Sequence, residues 1–89
     1  HDNTAMPAAF LMQQMTWRED LDEATSLDDL EKIRDQVTAS FKELLQLCEQ
    51  LLDTHHDAVQ AAAQVRSLMF IDKFIQDIDT RIDLMDRAG

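Results

Sequence analysis

The 89-residue sequence has one glycine, one proline and no tyrosine. That scarcity argues against a sheet built on tight hairpins and against a glycine-rich phosphate cradle. A single cysteine excludes an intrachain disulfide framework and fits a reducing compartment. Basic residues are also few, 8 Lys and Arg against 18 Asp and Glu, for a formal net charge of -10. A field of that sign repels phosphates, so nucleic acid and anionic membrane surfaces are poor partners. No apolar run approaches the roughly 18 residues of a bilayer span. The opening His1-Asp2-Asn3 has no initiator Met and no basic stretch. It reads as an internal cut or a processed end of a longer protein, not as a signal peptide.

What is present is helical periodicity. Pro7 precedes a dense apolar-periodic stretch, and proline in a first helical turn loses no hydrogen bond, so a first helix is expected from Pro7 or Ala8. It should stop near Ala24, because Thr25-Ser26 followed by Asp28-Asp29 is an N-cap with an acidic first turn. A second helix, from Leu27 to about Leu52, carries the stripe Leu30, Ile33, Val37, Phe41, Leu44, Cys48 and Leu51. The polar break 53–57 offers several caps. A third helix to about Arg87 carries Leu68, Ile71, Ile75, Ile78, Ile82 and Met85, with Asp77/Arg81 and Asp83/Arg87 expected as i,i+4 pairs on a solvated face. The fold expected is all-α: one domain over 1–89, an antiparallel up-down-up bundle of three helices. At about 1.5 Å per residue the second and third helices would be roughly 40 and 45 Å long. The first is shorter, so part of the long hairpin lacks a third partner.

The first helix carries an anomaly. At about 100° per residue, Phe10, Trp17, Leu21 and Ala24 fall on one narrow side, a core stripe. Met12 and Met15 point nearly the opposite way and Leu11 sits at the flank, with Glu19 and Glu23 continuing that second face. A short helix packed on one hairpin needs no apolar side chains on its back. Scattered surface apolar residues, with Met as a tolerant filler, or a contact between copies would explain them. A docking surface would explain them too, with adaptable Met and Leu anchors and an acidic rim that selects a basic partner. Counting back from the loops places Leu11 level with Ser40-Phe41 and with Met69-Phe70. Phe70 lies about 100° off the Ile71/Ile75/Ile78 stripe. It either extends the patch across two helices or covers the end of the short helix as a core-edge aromatic.

Two strings carry a family resemblance. The stretch Ala9-Phe10-Leu11-Met12-Gln13-Gln14-Met15-Thr16-Trp17-Arg18-Glu19-Asp20-Leu21-Asp22-Glu23 resembles the opening of the C-terminal domain of HscB, the J-type co-chaperone of iron–sulfur cluster assembly. Val65-Arg66-Ser67-Leu68-Met69-Phe70-Ile71-Asp72-Lys73 is similar to a second family segment, and together they frame nearly the whole chain. The resemblance implies a three-helix domain that holds an IscU-type scaffold protein and delivers it to an HscA-type heat-shock chaperone, whose ATPase a separate J-domain stimulates. It implies scaffold contacts at Leu11, Met12, Met15 and Phe70, with acidic positions at Glu19 and Glu23. A third acidic position of the family is Thr16 here, and Met15 replaces a Leu. The chain has no His-Pro-Asp triplet, so the resemblance implies a client-binding half that stimulates no ATPase by itself. The compartment implied is the cytoplasm, or the mitochondrial matrix for an organellar parent.

Other chemistry finds no constellation. Cys48 lies in the second helix's stripe and reads as a buried structural thiol. His55 and His56, adjacent in sequence, splay apart, and Asp53 with His56 supplies only two ligands. Asp77-Ile78-Asp79 lacks the glycine turn and terminal Glu of a calcium loop, and no Glu-x-x-His pair exists for a di-iron site. One buried Cys ligates no cluster. No catalytic site can be placed, so the expectation is a non-enzyme with no cofactor and no metal. The alternative to scaffold docking is a homo-oligomerisation module, with weak self-association through the spare leucines Leu27, Leu45, Leu47 and Leu52.

Overall fold

The computed structural model describes residues 8–54 and 56–88. It consists of three helices: α1, Ala8–Glu23; α2, Leu27–Asp53; and α3, Ala58–Ala88. Pro7 and His55 lie outside the described residues, and with them the expected start at Pro7 and any pairing of the two histidines.

Local chemistry sets the breaks. Ser26 adopts an extended conformation and its Oγ accepts a hydrogen bond from the Asp29 N–H at 3.1 Å, the expected N-cap of α2. Asp29 Oδ2 in turn accepts from the Thr25 N–H at 3.1 Å, a reciprocal arrangement close to a capping box. At the second break Asp57 caps α3 by accepting from the Gln60 N–H at 3.0 Å. His56, at φ 51°, occupies the left-handed region that turns the chain. That conformation is uncommon outside glycine but is visited by histidine more than by most residues.

The helices run up, down and up. Trp17 stacks on Phe74, Arg18 pairs with Asp77 at 3.6 Å, and Arg81 donates to the Leu21 carbonyl at 3.3 Å, so α1 and α3 advance together. Arg34 reaches Asp79 at 2.6 Å, whereas Phe41 lies level with Leu68, so α2 and α3 run in opposite directions. The core is Trp17, Leu21, Leu30, Ile33, Val37, Ile71, Phe74 and Ile78, with Phe41, Leu44, Ile75, Ile82 and Met85 packed against it. With 16, 27 and 31 residues, the helices leave one end of the α2–α3 hairpin without a third layer. No helix among the described residues is long and apolar enough to cross a membrane.

One expected surface pair is absent. Asp83 and Arg87 do bond at 3.1 Å, but Asp77 turns from Arg81 to Arg18 of α1, and Arg81 serves the carbonyl of Leu21. Both residues are only partly exposed. They face the docked α1 and not open solvent, where an i,i+4 pair would form.

Candidate functional site

Trp17 and Leu21 are buried and hold α1 to the hairpin, leaving the helix's other side wet. The Trp17 and Phe74 rings stack with centroids 6.1 Å apart and planes 14° from parallel. The Arg18 guanidinium lies over the Phe74 ring, 4.9 Å from its centroid, and is also held by Asp77. Leu11, Gln14 and Met15 project beside this assembly, so that Leu11, Gln14, Met15, Arg18 and Phe74 line one open groove between α1 and α3.

The four apolar residues singled out by sequence are all solvent-facing: Leu11 is 44% exposed, Met12 67%, Met15 64% and Phe70 50%. Met12 and Met15 are therefore not sealed inside the molecule, the condition on which a docking surface depends. Leu11 and Met15 share the groove, whereas Met12, the more exposed, does not line it. Phe70 lies one turn before Phe74, about 40° around α3 from it, hence on the side of α3 that meets α1. Glu19 and Glu23 are exposed one and two turns beyond Met15 on the same face. The Thr16 hydroxyl donates to the Met12 carbonyl at 3.2 Å, so it is occupied by its own helix.

Several lining residues escaped the sequence reading. Phe74 is buried and floors the groove. Its spacing, one turn after Ile71 and one before Ile78, is a signal of core placement. Met69, 67% exposed, joins Phe70 with Arg66 and Lys73 in a second shallow groove on α3. Arg18 belongs to the site through its ring contact, which no sequence pattern announces.

Among the described residues no group of three His, Cys, Asp or Glu side chains comes together to hold a metal ion. Cys48 is buried, and burial, followed by the neighbouring Glu49 charge, pushes its thiol pKa up, away from the reactive thiolate.

Comparison with known proteins places the chain in a family. A family model described as the HSCB C-terminal oligomerisation domain matches residues 6–79. The chain is 36% identical over 89 residues to the "Co-chaperone protein HscB homolog" of Aromatoleum aromaticum, covering 97% of this chain and 50% of that protein. It is 39% identical over 94 residues to the protein of the same name from Paraburkholderia phytofirmans, covering 97% and 50%. The Ralstonia nicotianae protein of that name is 43% identical over 92 residues, covering 96% and 50%. The chain spans about half the length of the curated relatives it matches. No solved structure matches it.

Proposed function

Because the chain belongs to the family of HscB C-terminal oligomerisation domains, we propose that it is the client-holding domain of an iron–sulfur cluster co-chaperone. Its client is an IscU-type scaffold protein, docked on Leu11, Met12, Met15 and Phe70 and handed to an HscA-type heat-shock chaperone. One observation carries the reading. Four large apolar side chains stand exposed, on a face of α1 and α3 that the core does not use. Large apolar side chains gathered on one side of a small acidic protein mark an interaction surface, and Met side chains adapt to a partner's contour. Glu19 and Glu23 supply the acidic rim and draw in the basic side of the scaffold.

In this reading the cluster is cargo on the bound partner, since the chain's one thiol is buried. The domain holds the client, and stimulation of the chaperone's ATPase belongs to a J-domain, whose His-Pro-Asp triplet this sequence does not contain. A bacterial cytoplasm suits a chain with one free thiol and relatives drawn from bacteria.

The test is titration calorimetry of the chain with an IscU-type scaffold. Replacing Leu11→Ala together with Phe70→Ala should weaken binding by about 2–4 kcal/mol, as central apolar anchors do, while helical circular dichroism stays unchanged. Unchanged affinity in the double variant sinks the assignment of the site.

A second reading has its own observation. The end of the hairpin without α1 exposes Leu45, Leu47, Leu52 and Val59, by 40% to 56%, and the matched family is described as an oligomerisation domain. Copies could associate there. Sedimentation over a concentration series decides, since a monomer at every concentration rules association out.

A further inference from the structure

We propose that the docking face is electrically bipolar, with Arg66 and Lys73 of α3 seating an acidic, apolar-flanked stretch of the partner protein. The inference rests on the scaffold-docking reading and adds the chemistry that fixes how the client lies.

Eight cationic side chains serve a molecule of net charge -10. Five are engaged: Arg18 with Asp77, Lys32 with Asp28, Arg34 with Asp79, Arg87 with Asp83, and Arg81 with the Leu21 carbonyl. Among the described residues, Lys42, Arg66 and Lys73 have no acidic partner within ion-pair distance. In so acidic a chain a cation without a carboxylate beside it is the exception. Two of these three lie in one groove with Met69 and Phe70.

Their placement is regular. Arg66 and Lys73 are seven residues apart, about 10 Å along the axis and only about 20° apart around it. Met69 and Phe70 rise between them, 67% and 50% exposed. Asp72, the nearest acid in sequence, lies on the far side of Met69, in the groove with Val65 and Phe41, and Asp77, one turn after Lys73, is held by Arg18. The patch is thus apolar with a cation at either end, and it adjoins the Phe74 floor of the α1 groove.

Because α1 and α3 run parallel, the levels along the bundle can be compared. Trp17 is level with Phe74 and Arg18 with Asp77, so Arg66 to Lys73 stand beside the Leu11–Met15 region. Glu19 and Glu23 lie further along, past Phe74. Arg66 is thus level with about Ala9 and Lys73 with about Thr16, so a partner covering the apolar centre meets the two cations along its α3 side and the carboxylates of Glu19 and Glu23 beyond its far end. Turned end for end, the partner would bring its acidic stretch toward Glu19 and Glu23, and that like-charge cost is how charge fixes orientation at an interface. A polyanion such as nucleic acid or an anionic bilayer would meet the two cations but be repelled by the rest of the surface.

The experiment compares the full chain, Arg66→Glu/Lys73→Glu, and Arg66→Lys/Lys73→Arg, each titrated with an IscU-type scaffold at low and high salt. The reversal should weaken binding at least tenfold at low salt, and the loss should shrink as salt rises, while the charge-conserving pair stays within twofold of the parent chain. Both sites are exposed and unpaired, so unchanged circular dichroism is expected and confirms the fold. Parent binding with unaltered or tighter binding by the reversal overturns the inference and leaves the docking reading standing. Absence of binding by the parent chain overturns both. Binding of a single-stranded oligonucleotide or phosphatidylglycerol vesicles that the reversal abolishes would assign the patch to polyanions and overturn it. So would parent dimers in sedimentation that the reversal dissociates, because the occupant would then be a second copy.

Discussion

At the scale of single residues, the most readable chemistry is the start of α2. Ser26 and Asp29 each satisfy backbone donors that the helix itself cannot, the former at Asp29 N–H and the latter at Thr25 N–H. Ser26→Ala should lower the unfolding free energy by about 1 kcal/mol in urea titrations. The Thr25 backbone hydrogen bond holds the Asp29 carboxyl below its usual 3.8 against the opposing effect of burial, with lesser help from the Ser26 and Thr25 hydroxyls and the Lys32 charge. A depressed folded pKa stabilises the protein above the ordinary aspartate value and loses that contribution as pH falls through the lowered one. Asp29→Asn should therefore be less stable than the parent at neutral pH, with the difference closing in acid. A gap that persists at the lowest pH would show that the charge is not the cause. These positions were legible because capping is local: S-L-D-D contains both partners within four residues. Phe70 was legible only as a boundary residue, since its exposure depends on where α1 ends.

At the scale of elements, α1 is the weak member. It has 16 residues, no acid in its first turn and no base in its last, so its dipole is unopposed and its acidic end is misplaced. An isolated helix of that length is marginal in water. Its stability must come from Trp17 and Leu21, which are 5% and 3% exposed. Trp17→Ala should cost about 3–5 kcal/mol and release α1, seen as fast hydrogen exchange over its amides while α2 and α3 stay protected. Met12→Ala should change stability by less than about 0.5 kcal/mol, as an exposed substitution does. A large loss there would mean that Met12 serves the fold. The same docking explains the misread Asp77/Arg81 pair. Periodicity within α3 cannot reveal that α1 offers Arg18 and the carbonyl of Leu21 to the two side chains.

At the scale of the whole molecule, the bundle is elongated, 49 × 24 × 15 Å, with a charge of -10 spread over it. The 49 Å length is several Debye lengths at physiological salt, about 8 Å each, but fewer than two at 10 mM, where the Debye length is about 30 Å. Self-repulsion among the carboxylates should therefore be felt at low ionic strength and screened above it. Raising sodium chloride from about 10 mM to about 150 mM should raise the melting temperature. A fall would mean that the surface ion pairs, such as Lys32 with Asp28, outweigh the repulsion. Screening should also slow capture of a scaffold more than it loosens the complex, because rim charges act mainly on encounter.

Three helices, their breaks at Thr25-Ser26 and around Asp57, their core stripes and a second apolar face on α1 were written in the order of residues, because caps and a 3.6-residue period are local properties of the chain. The family resemblance was legible for the same reason, resting on two contiguous strings. What surrounds that face was decided by packing. Phe74 became a buried floor, Arg18 a lid over its ring, and Arg66 and Lys73 the unpaired cations beside Phe70. Each of those outcomes depends on the level at which α1 lies against α3. That level is set by the stacking of Trp17 on Phe74, a contact between residues 57 apart, and no local pattern encodes it.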